Sequence, residues 1–260
     1  MVERSLMFED RAGHRVSATL RRPDRPTDKA VVLCHGFMGF KDSWTNRALS
    51  DGFARKGVAT LRFDFFGHGQ SSGNLKDLRL STLTHQTQEV ITLLREEEHF
   101  KQIGLVGSSF GGLIALLTAA QMPSLGGLGL RCPVFDFPAL LRERFGETAI
   151  GMWRLLGRVP SAFAPIPLHY QFYEECLEQD PRLAARALAV PTAIVHGEVD
   201  DVIPISHVQE LAQYINAPKS LHIIPGADHR FSQPPDFQRM TDLLITSLMA
   251  YLSAPATREA

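Results

Sequence analysis

The stretch GLVGSSFGGL, residues 104–113, limits the fold of this chain more than any other segment. An apolar run enters a pair of serines set among glycines, and a nearly all-apolar run leaves it. Read as G-x-S-x-G, the pattern centres on Ser109, with Gly107 and Gly111 on either side; Ser108 fails it, because Val106 and Phe110 take the flanking places. A serine on a tight strand-to-helix turn must hold an unfavourable backbone conformation. Its neighbours must be small so that strand and helix can approach closely. Gly107, Gly111 and Gly112 supply that room, and the turn predicts a strand over 102–107 and a buried helix over 110–121.

The rest of the chain repeats this alternation. Residues 2–8 and 15–20 read as two strands joined by a turn too short for a crossover, hence antiparallel. The short apolar run at 29–36 reads as a buried strand, and 57–65, 127–133, 190–200 and 219–229 read as further strands. Residues 44–56 and 81–98 carry apolar positions at helical spacing. Strands alternating with helices predict an α/β fold with a mostly parallel sheet covered on both faces.

Residues 133–188 break the rhythm: they are helical and Pro-rich and show no clear strand. Structureless connections longer than about 15 residues are uncommon in compact domains. We therefore expect 133–188 to form a small inserted cap, with 1–132 and 189–260 as the core. The terminal SAPATREA reads as a frayed tail.

Charge excludes some partners. A formal net charge of −1 gives no reason to expect nucleic acid. No apolar run approaches the ~20 residues of a spanning helix, so stable membrane insertion is not expected. Cys34, Cys132 and Cys176 are far apart and show no metal-ligand spacing. Together with an opening MVERSLMFED that lacks an apolar leader core, they predict a cytoplasmic protein. A homodimer is left open.

A serine is a poor nucleophile without a base, and the base needs an acid to orient it. His229, in PGADHRF, follows the last predicted strand in a turn-rich loop. The segment HGEVDDVIP, 196–204, offers Asp200 and Asp201 just past the preceding strand. Tetrahedral oxyanions need two aimed N–H donors. The amide of Phe110 follows the serine at a helix N-terminus, and the amide of Phe37 lies in CHGFMG, after an early strand.

Taken together, VVLCHGF, DFFGHGQSSG, GLVGSSFGG, HGEVDDVIP and GADHRF resemble the α/β-hydrolase superfamily across nearly the whole chain. They are most similar to the carboxylesterase group that includes the cinnamoyl/feruloyl esterases, the serine aminopeptidases and the monoacylglycerol lipases. The resemblance implies the α/β-hydrolase fold, a mostly parallel eight-stranded sheet flanked by helices with a small inserted cap. Its pattern H-G-x-x-D-x-x-(V/I)-P puts the acid at Asp200 rather than Asp201. It also implies a Ser109, Asp200, His229 triad and an oxyanion hole of the Phe37 and Phe110 amides. The expected activity is hydrolysis of a small-molecule carboxylic ester, of short acyl or aryl type, through an acyl-enzyme. An aminopeptidase-like amide hydrolase and a monoacylglycerol-lipase-like enzyme are the alternatives with the same triad. No metal or organic cofactor is expected.

Other candidates have plainer roles. His35 and His196 precede glycine at strand ends and are expected to bond loop backbone, and His68 to brace a turn. Asp64 is expected to hold the turn after its strand. Cys34, within a buried strand, reads as packing. Phe37, Phe40, Phe65, Phe66 and Phe110 are candidates for the wall of an acyl or aryl pocket.

Overall fold

The computed structural model describes residues 1–159 and 168–254. The last six residues of the expected tail and residues 160–167 of the expected cap lie outside the described residues. Eight strands form one sheet in the order β1-β2-β4-β3-β5-β6-β7-β8. They are β1 (Val2–Glu9), β2 (Arg15–Arg22), β3 (Lys29–Cys34), β4 (Ala59–Phe63), β5 (Gln102–Ser108), β6 (Gly127–Arg131), β7 (Thr192–Gly197) and β8 (Lys219–Ile224). β1 pairs antiparallel with β2, and β2 with β4; every other pairing is parallel. This is the α/β-hydrolase fold that the motifs imply.

The helices among the described residues are α1 (Trp44–Arg55), α2 (Leu80–Glu96), α3 (Phe110–Gln121), α4 (Phe137–Leu156), α5 (Tyr170–Glu178), α6 (Pro181–Ala187), α7 (Ile205–Tyr214) and α8 (Pro234–Tyr251). Because successive side chains of a strand point to opposite faces, the central strands feed two cores. Val31, Leu33 and Val106 join Leu49 and Phe53 of α1 and Leu244 and Leu248 of α8 on one side. Val32, Cys34 and Leu105 join Leu83 of α2 and Ile114 of α3 on the other. Burial on both faces is why β3, KAVVLC, carries an unbroken apolar run after its first lysine.

Strand order also places the site. From β3 the chain steps outward to β4 on one side and later returns to β5 on the other. The loops after β3 and β5 therefore part at the carboxyl ends of adjacent strands. In open α/β sheets that switch point is where a crevice opens.

Between β6 and β7 lie α4, α5 and α6, with no named strand among the described residues. One isolated bridge, Arg158 with His169, joins backbone on either side of the undescribed residues. α4 is two helical segments meeting at Gly146, whose φ of 78° and ψ of 161° break the helix. No helix of the described residues is long and apolar enough to cross a membrane. The three cysteines are buried and unpaired.

Candidate active site

Ser109 sits between β5 and α3 with φ 55° and ψ −121°. A non-glycine residue at positive φ is uncommon and costs on the order of 1–3 kcal/mol unless its surroundings impose it. Here the surroundings do. The Ser109 amide donates to the Arg131 carbonyl at 2.9 Å, and its carbonyl accepts from the Gly112 and Val134 amides at 2.9 and 3.0 Å. The glycines permit the closeness that the motif demands. A Cβ on Gly107 would stand 2.3 Å from the Gly111 carbonyl oxygen, and one on Gly111 would stand 2.2 Å from the His35 carbonyl oxygen.

The loop after β3 lies against this turn. A Cβ on Gly36 would touch Ser109 Cβ at 3.2 Å. Phe37 and Phe110 pack edge to face, ring centroids 5.7 Å apart. Neither the Phe37 nor the Phe110 amide donates to a backbone carbonyl among the described turns, loops and caps. For Phe110 this is the ordinary state of a first helical residue, whose N–H has no intrahelical partner.

His229 and Asp200 meet across the loops that follow β8 and β7: His229 Nδ1 lies 2.7 Å from Asp200 Oδ2. Asp200 Oδ1 accepts from the Val202 and Ile203 amides at 2.9 and 2.8 Å. Asp200 has a fully buried side chain, whereas His229 keeps 13% of its side chain exposed. Burial alone would raise the Asp200 carboxyl. The hydrogen bonds from His229 and the Ile203 and Val202 amides outweigh it and hold the pKa below the ordinary carboxylate value. Asp201 is exposed. Ser109 Oγ takes no hydrogen-bond partner among the described residues.

Ser109, Phe37 and Phe110 share the wall of a cavity of ≈ 400 Å³, completed by Phe137, Ile150 and Trp153 among others. Phe40, Phe65 and Phe66 do not line this cavity: Phe40 is 50% exposed, and Phe65 and Phe66 are buried elsewhere in the core. Phe137 and Trp153 come from α4, which no sequence motif singled out. A larger groove of ≈ 1050 Å³ runs between α1 and α8, but none of Ser109, Asp200 or His229 lines it. Chemistry, not size, marks the site.

The other histidines of the motifs, His35, His68 and His196, are tied to backbone. The His35 ring pairs Nδ1 with the Gly36 carbonyl at 2.8 Å, and its Nε2 accepts from the Phe65 amide at 3.1 Å. Burial lowers its pKa to about 4, against a smaller opposite effect of the Gly36 carbonyl. His68 Nδ1 lies 2.9 Å from the Phe66 carbonyl, bracing its turn. Asp64 holds the same turn through the Gln70 amide at 2.9 Å. It also takes the buried Lys41 ammonium at 3.0 Å, a partner that no motif indicates.

Cys132, His196 and Asp200 offer ligand atoms within 4.8 Å of one another. Their chemistry does not suit a metal. Both Asp200 oxygens are engaged, and His196 Nε2 donates to the Ile203 carbonyl at 3.0 Å. Burial pushes the Cys132 thiol up to about 12, away from the thiolate that a metal needs. The Cys34 thiol is likewise pushed up to about 12 by burial, which suits packing and not attack.

Residues 31–239 match the family described as "Alpha/beta hydrolase family". The chain is 30% identical over 219 residues to the palmitoyl-protein thioesterase ABHD10, mitochondrial, of Mus musculus, covering 79% of this chain and 70% of that protein. It is 26% identical over 233 residues to the monoacylglycerol lipase ABHD6 of Homo sapiens, covering 74% of this chain and 67% of that one. It spans 66% of the length of one curated relative from Bacillus subtilis and 78% of that of another from Bos taurus. Among solved structures, Est1E from Butyrivibrio proteoclasticus with ferulic acid bound superposes with a TM-score of 0.85 at 22% identity, over 96% of this chain and 100% of that one. That likeness is one of fold.

Proposed function

The chain belongs to the alpha/beta hydrolase family, and from that premise we propose that it is a serine hydrolase cleaving carboxylic esters through an acyl-enzyme on Ser109. The observation that carries this is the strained Ser109, φ 55°, set in the wall of an apolar cavity. A serine held in that conformation at a strand-to-helix turn is a costly arrangement with a clear catalytic use.

Ser109 Oγ attacks the carbonyl carbon while His229 takes its proton. The tetrahedral oxyanion is met by the Phe37 and Phe110 amides, which no backbone carbonyl of the described turns, loops and caps claims. The intermediate collapses, the C–O bond breaks, and His229 returns the proton to the leaving alcohol. Water then attacks the acyl-enzyme, giving a proton to His229, and the acid leaves as Ser109 regains its hydrogen. Asp200 accepts from His229 Nδ1, fixes the tautomer and stabilises the transient imidazolium.

The helices between β6 and β7 act as the cap, since Phe137, Ile150 and Trp153 of α4 close one side of the cavity. Its walls suit an apolar acyl or aryl group. Unpaired buried cysteines suit a reducing compartment. A thioester is the second reading, favoured by the 30% identity to a protein named as a palmitoyl-protein thioesterase.

The test is a panel: p-nitrophenyl esters from acetyl to palmitoyl, methyl ferulate, a palmitoyl thioester and an aminoacyl anilide. Ser109→Ala runs beside it. Ester or thioester cleavage that vanishes in a folded Ser109→Ala is expected. Undiminished turnover in that variant overturns the assignment, and cleavage of the anilide alone moves the substrate class to amides.

A further inference from the structure

Arg131 ends β6, and its guanidinium is buried: the residue is 6% exposed. A buried cation needs compensation. It finds some in Asp200 and Asp228, whose charges favour the protonated form against the burial that disfavours it. The guanidinium carbon also lies 5.1 Å from the centre of the Phe231 ring. Nε has no hydrogen-bond partner among the described residues. A side chain selected for stability alone would not carry that cost so readily.

What the guanidinium does hold is the base. Nη2 donates to the carbonyl oxygen of His229 at 2.6 Å. The backbone of the same arginine holds the nucleophile, because its carbonyl accepts from the Ser109 amide at 2.9 Å. Strand β6 lies next to β5, while β8 lies two strands away beyond β7. Neighbouring strands are about 4.8 Å apart, so a link from β6 to the loop after β8 must reach roughly 10 Å. A long side chain ending in a rigid planar fork can span that gap and still bond in a defined direction.

We propose that Arg131 is a positioning residue, one that sets the His229 loop in register with Ser109 from the strand between the nucleophile and the acid. This rests on the roles proposed above for Ser109 and His229. Arg131 does not line the apolar cavity. Its loss therefore acts on turnover and spares substrate binding.

The experiment uses Arg131→Met and Arg131→Lys in the full chain, with kcat and KM measured on the best ester of the panel. Melting curves check folding. The downfield proton NMR signal of the His229 Nδ1–H shared with Asp200, assigned by its absence in Asp200→Ala, supplies a readout that needs no substrate. A misplacement of about 1 Å in such a site costs on the order of 10²-fold in rate. Arg131→Met is expected to lose about that much in kcat, with KM within about twofold and the proton signal shifted or broadened. Arg131→Lys, still long and cationic, is expected to recover part of the loss. If the Met variant does not fold, Arg131→Gln takes its place with the same expectation. A folded Met or Gln variant with wild-type kcat and an unchanged proton signal overturns the proposal. So does one whose KM rises as much as its kcat falls. If the wild type cleaves nothing in the panel, the ester reading fails on its own. The proton signal then still decides for or against Arg131.

Discussion

Asp200 Oδ2 lies 2.7 Å from His229 Nδ1, while its other oxygen is held by two backbone amides. The carboxylate cannot rotate without breaking those bonds, so the direction of the imidazole is set by backbone.

An amide in place of the acid keeps the shape and spoils the tautomer. Asp200→Asn is expected to lower kcat by about 10⁴, the scale seen when a triad acid becomes an amide elsewhere. Asp201→Asn, at an exposed residue, is expected to leave kcat within about twofold. Steady-state kinetics on one ester compares the two; equal effects would mean the wrong carboxylate has been named.

Ser109 offers a stability prediction independent of substrate. Glycine adopts positive φ freely, and alanine does not. Ser109→Gly is expected to be more stable than Ser109→Ala by about 1 kcal/mol, although both lose activity. Urea unfolding of the two variants measures the difference. A more stable alanine variant would show that the φ of 55° is not strained.

Lys41 tests the brace behind the loop that follows β3. Its ammonium lies 3.0 Å from Asp64 Oδ2 and 2.6 Å from Gln70 Oε1, and both charged side chains are buried. Removing one partner strands a buried charge. Lys41→Met is expected to cost about 3–5 kcal/mol. Replacing both charges, Lys41→Met with Asp64→Leu, would cost less than the sum of the single changes, and strict additivity would deny the coupling.

Acid is expected to unfold this protein earlier than its carboxylates alone would require. Burial lowers His35 from 6.5 to about 4. Below pH 6.5 the unfolded chain binds a proton that the folded chain refuses until about pH 4, so unfolding gains as pH falls through that window. Stability is fully present above pH 6.5 and drains away toward pH 4, by ~3 kcal/mol for His35. His68, His196 and His207 are lowered in the same direction, also by burial first, and add to the slope. The lowered Asp200 carboxyl adds the same sign below its ordinary 3.8. Denaturant midpoints at pH 7.5, 5.5 and 4.5 measure it; a flat profile would show that these rings protonate in place.

Much of this could be read along the chain, for a local reason. A strand buried on both faces must be apolar throughout, as VVLC is, and a sharp turn must shed side chains, as Gly107 and Gly111 do. Such demands act over a few residues, so sequence by itself determined the alternation of strands and helices along the chain, the turn at Ser109 and the loops in which His229 and Asp200 would fall. It did not determine which aromatic rings face the cavity. Phe65 and Phe110 are both buried phenylalanines beside motif residues, yet only Phe110 also lines the cavity. Nor did it determine that Lys41 pairs with Asp64, or that Arg131 reaches the carbonyl of His229 from two strands away. Those contacts join residues 23 and 98 positions apart, and no local pattern specifies them. They exist only once the sheet has set its strand order, because that order alone decides which side chains come within reach.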